Sequence, residues 1–423
     1  MVNLTRNLLE SDKLFDKIAD ELDISPSLYK AAVDRYTAIG NWLDEISLTD
    51  VFEGSEDPIP MGKIGADIFP QGSFALGTVV KPWVGGKEQE YDIDLVFQLD
   101  LEIGTKQAHA LKKAVGQRLK SHGSYSQMLK EEGKRCWTIV YAEKNNTQFH
   151  LDILPALNGE NSSPLPHRDK EISISDKTDS SHYQWLSSNP RGYAGWFKEK
   201  NIVAFNRVAA FERKRAVAMD EAIFATVHDV PDQFVRTPLQ RAIQILKRHR
   251  DVRFSGLSNE KEKPISMIIT TLATLSYGNE ESISLALENI INKLLSYKSL
   301  LLNGRAPANM QKLIELTADG EWIIRNPVCL EENFADKWHL DGHKRAKAFF
   351  QWLDWLELDM AALVEQNEQT RQRTLLEEKF GPRVAAAVVP LTTSAGASGL
   401  LICNAHAGDI VVDSPSQPWR YGA

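Results

Sequence analysis

The sequence predicts an α+β fold in two lobes, a mixed sheet with its helices followed by a wholly helical half. Two observations carry that expectation. Residues 91–99 alternate strictly, with Tyr91, Ile93, Leu95, Phe97 and Leu99 on one face and Asp92, Asp94, Val96 and Gln98 on the other, and strand-like runs recur at 136–141 and 147–154. From Thr237 onward only helical periodicity is found, at about 238–250, 264–277, 282–297, 308–316 and 341–366. The elements follow from local signals. Ser25-Pro26 reads as a cap with proline at the first helical position, and Leu28, Ala32, Ile39, Leu43 and Ile46 continue it as an amphipathic helix. Residues 50–65 read as a loop, 66–69 as a short strand, Gln71-Gly72-Ser73 as a turn, and a short helix is expected from Phe74. A helix at 105–122 precedes the strands at 136–141 and 147–154, which Lys144-Asn145-Asn146 joins by a turn.

The domains expected are 1–236 for the N-terminal helix and α/β core, 237–381 for a helical lobe, and 382–423 for an irregular tail rich in Ala, Ser, Thr and Gly. At 43% hydrophobic and 25% charged residues, the 423-residue chain is neither a disordered, a collagen-like nor a disulfide-scaffold sequence. Its 57 acidic residues outnumber 49 basic ones, so a net charge of -8 argues against coating a nucleic-acid backbone, and stable DNA binding is not expected. Any basic site is local. Cys136, Cys329 and Cys403 are too far apart for a zinc knuckle and suit a reducing compartment. Glu10, Asp12, Asp16 and Asp20 interrupt any signal peptide, and the apolar run Pro264 to Tyr277 falls short of the roughly 20 residues that cross a bilayer. A cytoplasmic protein with no membrane partner is expected.

Asp92 and Asp94 stand two apart on one strand, so their side chains point the same way from α-carbons roughly 7 Å apart, close enough to converge on hard divalent cations. In FHLDILPAL, His150 and Asp152 face away from Phe149, Leu151 and Ile153, which offers a third carboxylate. Three such groups are what two-metal phosphoryl transfer uses. The same spacing also describes the solvated face of an antiparallel sheet. Gly72-Ser73 lies upstream, where glycine lets the backbone approach a phosphate and the hydroxyl and helix-start N–H groups can bind its oxygens; alone, it is also an ordinary turn.

Together, QGSFALGTVVKP, EYDIDLVFQL and FHLDILPA resemble the nucleotidyltransferase fold in its Gly-Ser, Asp-x-Asp, third-Asp form, shared by poly(A) polymerases, oligoadenylate synthases and cyclic GMP-AMP synthase. Within it the chain is most similar to the bacterial cGAS/DncV-like nucleotidyltransferases, the CD-NTases of antiphage CBASS operons. SNPRGYAGWF, LQRAIQILKRHRD, KPISMIITTLAT and NPVCLEENFADKW extend the resemblance over roughly residues 25–360, with Leu330 where the pattern leads us to expect proline. The resemblance implies a bilobal, polymerase-beta-like enzyme with its site in the cleft between the mixed sheet and the helical lobe. It makes Asp92, Asp94 and Asp152 the catalytic carboxylates and ligands of two Mg²⁺ ions, with Mn²⁺ as a substitute. Gly72, Ser73, Lys247 and Ser266 become the residues that bind the nucleotide phosphates.

The residues are compatible with those roles. In the helix opened by Thr237-Pro238, Leu239, Ile243, Leu246 and Arg250 form one stripe, and Gln240, Gln244, Lys247 and Asp251 another about 100° away, so Lys247 can face a cleft while the helix stays docked. A run such as Lys247-Arg248-His249-Arg250 also reads as a solvated face. Ser266 lies in the first turn of the next helix, where unsatisfied N–H groups favour an anion, although a serine there is also a plain cap. His150 and Tyr91 flank the acids; a histidine so placed also serves as a structural partner. Trp137, Trp185, Trp196, Trp352 and Trp355 receive no role.

The expected activity is a Mg²⁺-dependent union of ribonucleoside triphosphates, ATP included, into a cyclic di- or trinucleotide messenger with release of pyrophosphate. The alternatives are a template-independent enzyme making linear products and a catalytically silent nucleotide sensor. The resemblance further implies a separate effector activated by the messenger, and an E1/E2-like enzyme acting on the C-terminus at Gly422-Ala423.

Overall fold

The computed structural model describes residues 2–142, 148–159, 170–179, 181–219, 234–306 and 312–390. The expected turn at 144–146 and the tail from 391 onward, with Cys403 and Gly422-Ala423, lie outside the described residues. The chain begins with helices α1 (Leu8–Leu22), α2 (Pro26–Leu43) and α3 (Leu48–Val51), then runs through β1 (Ala66–Pro70), α4 (Gly72–Ala75), β2 (Trp83–Val84), β3 (Lys87–Glu88) and β4 (Tyr91–Glu102). Helices α5 (Ala108–Lys120) and α6 (Tyr125–Met128) lead to β5 (Trp137–Ala142), β6 (Gln148–Asn158), β7 (Ile172–Lys177) and β8 (Tyr183–Ser188). The rest comprises α7 (Pro190–Met219), α8 (Pro238–Phe254), α9 (Ser266–Ser276), α10 (Ile283–Ser296) and α11 (Lys298–Asn303), the short strands β9 (Glu315–Leu316), β10 (Trp322–Ile323), β11 (Arg325–Asn326) and β12 (Cys329–Asn333), and α12 (Lys344–Glu365), α13 (Gln369–Phe380) and α14 (Pro382–Val388).

The main sheet runs β1-β4-β6-β7-β8, with β5 also on β6. Only the β4–β6 pair is parallel. That pairing matters because strand side chains alternate between faces. Ile93, Leu95, Phe97 and Leu99 of β4 join Leu151 and Ile153 of β6 in a buried core with Ile39 and Leu43 of α2 and Leu111 and Val115 of α5. Each such side chain contributes about 1.5–3 kcal/mol when fully buried. The opposite face of the same strands carries the acids. The α+β architecture expected from the alternation at 91–99 is the one observed.

Helix α2 starts where the sequence places it, with Ser25 Oγ accepting from the Leu28 amide and Pro26 in its first turn. Thr237 and Gln240 form a reciprocal capping box at the start of α8, with Pro238 behind the cap. A second core unites α8, α9, α10 and α12, and α1 belongs to it through Leu14, Phe15, Ile18 and Leu22. Helices α1 and α7 and strands β7 and β8 are additions to the expected elements.

Three local expectations are corrected. The tail does not begin at 382: Pro382–Val388 form α14, whose Val384 and Ala385 are fully buried, because Gly381 ends α13 and Pro382 restarts a helix against the core. Residues 315–333 hold two small antiparallel hairpins rather than continuing an all-helical pattern. The run Lys247-Arg248-His249-Arg250 is not a solvated face; these residues are 4%, 0%, 0% and 6% exposed. Arg248 pairs with Glu88, His249 with Asp359 and Arg250 with Asp251, so burial is compensated within the fold. No described helix is long and apolar enough to cross a membrane.

Candidate active site

Strand β4 delivers two carboxylates and its parallel neighbour a third. In the β4–β6 register Asp92 stands opposite His150 and Asp94 opposite Asp152. One carboxylate oxygen from each of Asp92, Asp94 and Asp152 lies within 4.8 Å of the others. Among the described residues, no lysine or arginine forms an ion pair with any of the three. Burial, followed by the charges of Asp92 and Asp152, pushes the Asp94 carboxyl up to about 7. Asp92 is raised as well, by burial and then by Asp152. Thr138 on β5, opposite Asp152, donates its hydroxyl to that carboxylate at 2.5 Å and orients it.

The Gly-Ser turn is built against these acids. Gln71 N–H donates to the Asp94 carbonyl at 2.8 Å, which carries the chain from the end of β1, alongside β4, directly into α4. Gly72 has φ +58, and a Cβ there would lie 2.9 Å from Asp94 Oδ2, so both backbone conformation and space demand glycine. Phe74 fixes the turn from the other side: its ring stacks on Tyr29 of α2 with centroids 4.7 Å apart and planes 7° from parallel. Ser73 accepts from the Thr78 amide through its carbonyl at 2.9 Å. Lys247 of α8 reaches the same segment, its Nζ donating to the Thr78 carbonyl at 3.2 Å and hydroxyl at 3.1 Å. Burial, with Arg250 nearby, lowers the Lys247 ammonium to about 7, while Asp94 and Asp251 oppose that shift.

The turn, the triad and Lys247 are thus brought together. Ser266 is exposed in the first turn of α9, and its partner is Arg250 of α8, whose Nη1 donates to its hydroxyl at 3.1 Å and to the Pro264 carbonyl at 3.0 Å. Sequence reasoning missed Thr138 and Thr78, since neither sits in a motif. It also missed Glu90, whose carboxylate holds His150 Nε2 at 2.5 Å. Glu90 continues the alternation of Asp92 and Asp94 and was legible as such. The tryptophans left without a role are structural where their bonds are seen: Trp137 donates to the Lys112 carbonyl, Trp185 to the Lys106 carbonyl and Trp352 to His249.

The donor set fits a hard divalent cation: oxygen ligands only, converging and without a cation of the protein's own. A parallel strand pair carrying three convergent acids, backed by a glycine turn against the second of them, is an arrangement suited to metal-assisted phosphoryl transfer. Residues 55–201 match the Second Messenger Oligonucleotide or Dinucleotide Synthetase domain family, SMODS. A c-di-GMP synthase from Roseivirga ehrenbergii is 27% identical over 365 residues, covering 86% of this chain and 82% of that protein. Cyclic dinucleotide synthase CdnG from Bradyrhizobium diazoefficiens is 26% identical over 257 residues, 58% of this chain and 54% of its own length. The structure of the Bradyrhizobium diazoefficiens CD-NTase CdnG in complex with GTP superimposes with a TM-score of 0.61 at 21% identity, over 89% of this chain and 98% of that one. The chain is thus similar in sequence to named cyclic dinucleotide synthases and shares the fold of a CD-NTase.

Proposed function

We propose that this chain joins ribonucleoside triphosphates into a cyclic oligonucleotide and releases pyrophosphate. The observation that carries the reading is the convergence of Asp92, Asp94 and Asp152 beside Gly72-Ser73, in a chain whose relatives are named for cyclic dinucleotide synthesis. A sugar hydroxyl of one nucleotide attacks the α-phosphorus of the next, the bond from that phosphorus to the pyrophosphate oxygen breaks, and pyrophosphate leaves with the electron pair. Asp152 stands on the hydroxyl side and takes the proton, oriented by Thr138. Asp92 and Asp94 would hold Mg²⁺, two ions in the proposal with Mn²⁺ able to replace them; when bound, the metal supplies positive charge to the developing anionic oxygens. Gly72 and Ser73 present backbone and hydroxyl donors to the donor triphosphate. Lys247 braces the turn through Thr78 and adds charge beside it, and Ser266 meets the phosphates from the start of α9.

One relative is named for a guanine product and a structural neighbour holds GTP, which favours GTP as one substrate alongside the ATP expected from the family resemblance. In this proposal the product is a di- or trinucleotide messenger made in the cytoplasm, read by a separate effector in antiphage defence, with an E1/E2-like enzyme acting on the C-terminus. The test is incubation with α-labelled GTP and ATP in Mg²⁺, followed by phosphatase. Products whose migration phosphatase leaves unchanged support cyclisation. Products that lose end phosphates support linear synthesis, and no turnover supports a silent sensor.

A further inference from the structure

Four acids stand at alternate positions leading into and along the catalytic strand: Glu88, Glu90, Asp92 and Asp94. The outer two each touch a basic side chain, and among the described residues the inner two form no ion pair with a lysine or arginine. Glu90 pairs with His150. Glu88 is held from two helices. Arg248, whose side chain is 0% exposed, reaches it from α8 at 2.7 Å. Arg383 of α14 grips both of its oxygens, Nε on Oε2 at 2.8 Å and Nη2 on Oε1 at 3.0 Å, the bidentate geometry that makes guanidinium–carboxylate pairs strong and directional.

The grip is reinforced on every side. Arg248 also donates to the carbonyls of Lys81 and Phe380, each at 3.3 Å, tying the β2–β3 hairpin to the end of α13. Gly381, with φ +95, lies so close to the hairpin that a Cβ would come within 2.6 Å of the Trp83 ring. Arg383 continues to Glu21 of α1, donating to its carboxylate at 3.0 Å and its carbonyl at 2.7 Å. Past Glu88 the chain stays pinned: Gln89 N–H donates to the Pro82 carbonyl at 2.8 Å and Tyr91 Oη to the Asp23 carbonyl at 3.2 Å. Glu88 is four residues from Asp92, roughly 13 Å of extended chain.

We infer that Glu88 is a positioning residue for the metal-binding strand, and that its clamp by Arg248 and Arg383 makes α14 part of the machinery that aims Asp92 and Asp94. Three unpaired carboxylates repel one another and tend to spread their strands; a fixed entry to β4 opposes that displacement. The inference rests on the proposed metal site and deepens it. The test uses the full chain with Arg383→Gln, Arg383→Lys and Glu88→Gln. Arg383 is the safer site because its side chain is 42% exposed, so its replacement leaves no buried cavity. Binding of Mn²⁺ alone is followed by the loss of its free electron paramagnetic resonance signal, and kcat and KM are measured beside it. By analogy with the outer partners of metal ligands, Arg383→Gln and Glu88→Gln should each weaken Mn²⁺ binding and lower kcat about tenfold, with KM for the nucleotide little changed and Arg383→Lys partly restored. Unaltered Mn²⁺ affinity in both Gln variants, or a loss that only tracks the unfolded fraction in melting curves, overturns the clamp. Failure of the unmodified chain to turn over nucleotides would contradict the proposed reaction, yet the Mn²⁺ titration would still decide the clamp.

Discussion

Asp94 is the residue on which most of the site's physics converges. Its raised pKa of about 7 lies above the unfolded value of about 3.9, so the folded chain holds an extra proton between those values. The stability this confers is full below the unfolded value and is lost as pH rises through about 7. Asp94→Asn should therefore melt a few degrees above the unmodified chain at pH 8 in a chelator, with the gap closing by about pH 4. Added Mg²⁺ should narrow the gap at pH 8 by stabilising only the unmodified chain; equal melting at both pH values would contradict the account. Lys247 acts on the other side of the turn. Lys247→Ala removes charge beside the proposed phosphate site and the brace on Thr78, and should raise KM for the nucleotide about tenfold or more, as loss of a charged hydrogen bond predicts. Steady-state kinetics with GTP and ATP check this. The acids were legible because strand alternation is a strong signal. Thr138 and Thr78 were not, since their roles come from register and a turn that one-dimensional spacing does not encode.

At the scale of elements, the Gly72-Ser73 turn depends on a helix far from it in sequence. Phe74 stacks on Tyr29 and is 4% exposed, so α2 sets the position of α4 and hence of Gly72-Ser73. Phe74→Ala should cost about 3–5 kcal/mol, read as a lower denaturation midpoint with an unchanged m-value. A loss below about 1 kcal/mol would show that the stack is not what anchors the turn. Helices with strong caps were legible: Ser25-Pro26 and Thr237-Pro238 both start helices where expected. Helix α1 carries Leu14, Phe15, Ile18 and Leu22 at helical spacing, a readable pattern obscured by attention to its acids as breaks in a signal segment. The basic run in α8 misled for another reason. Its partners Glu88 and Asp359 lie more than a hundred residues away, and local charge density says nothing about such pairing.

The described residues couple a sheet core and a helical core through polar contacts rather than through one continuous apolar interior. The sheet core and the helical core are separate clusters, and α8 spans the gap with Gln240 and Gln244 donating to the Leu76 and Val79 carbonyls and Lys247 to Thr78. The net charge of -8 says nothing of where the acids lie; the structure gathers three of them at one site. The fold class was readable from the sequence because each lobe has its own periodicity. The seam was not, because it is made of single polar contacts between distant segments, and the boundary at 382 was misplaced because the short alanine-rich helix α14 resembles a tail in composition. The central claim is that the triad binds metal and performs nucleotidyl transfer. The most direct test compares the unmodified chain with Asp92→Asn/Asp94→Asn in one labelled-nucleotide reaction, after circular dichroism establishes that both are folded. The account predicts phosphatase-resistant product from the unmodified chain and none from the folded double variant. Equal product from both would contradict it.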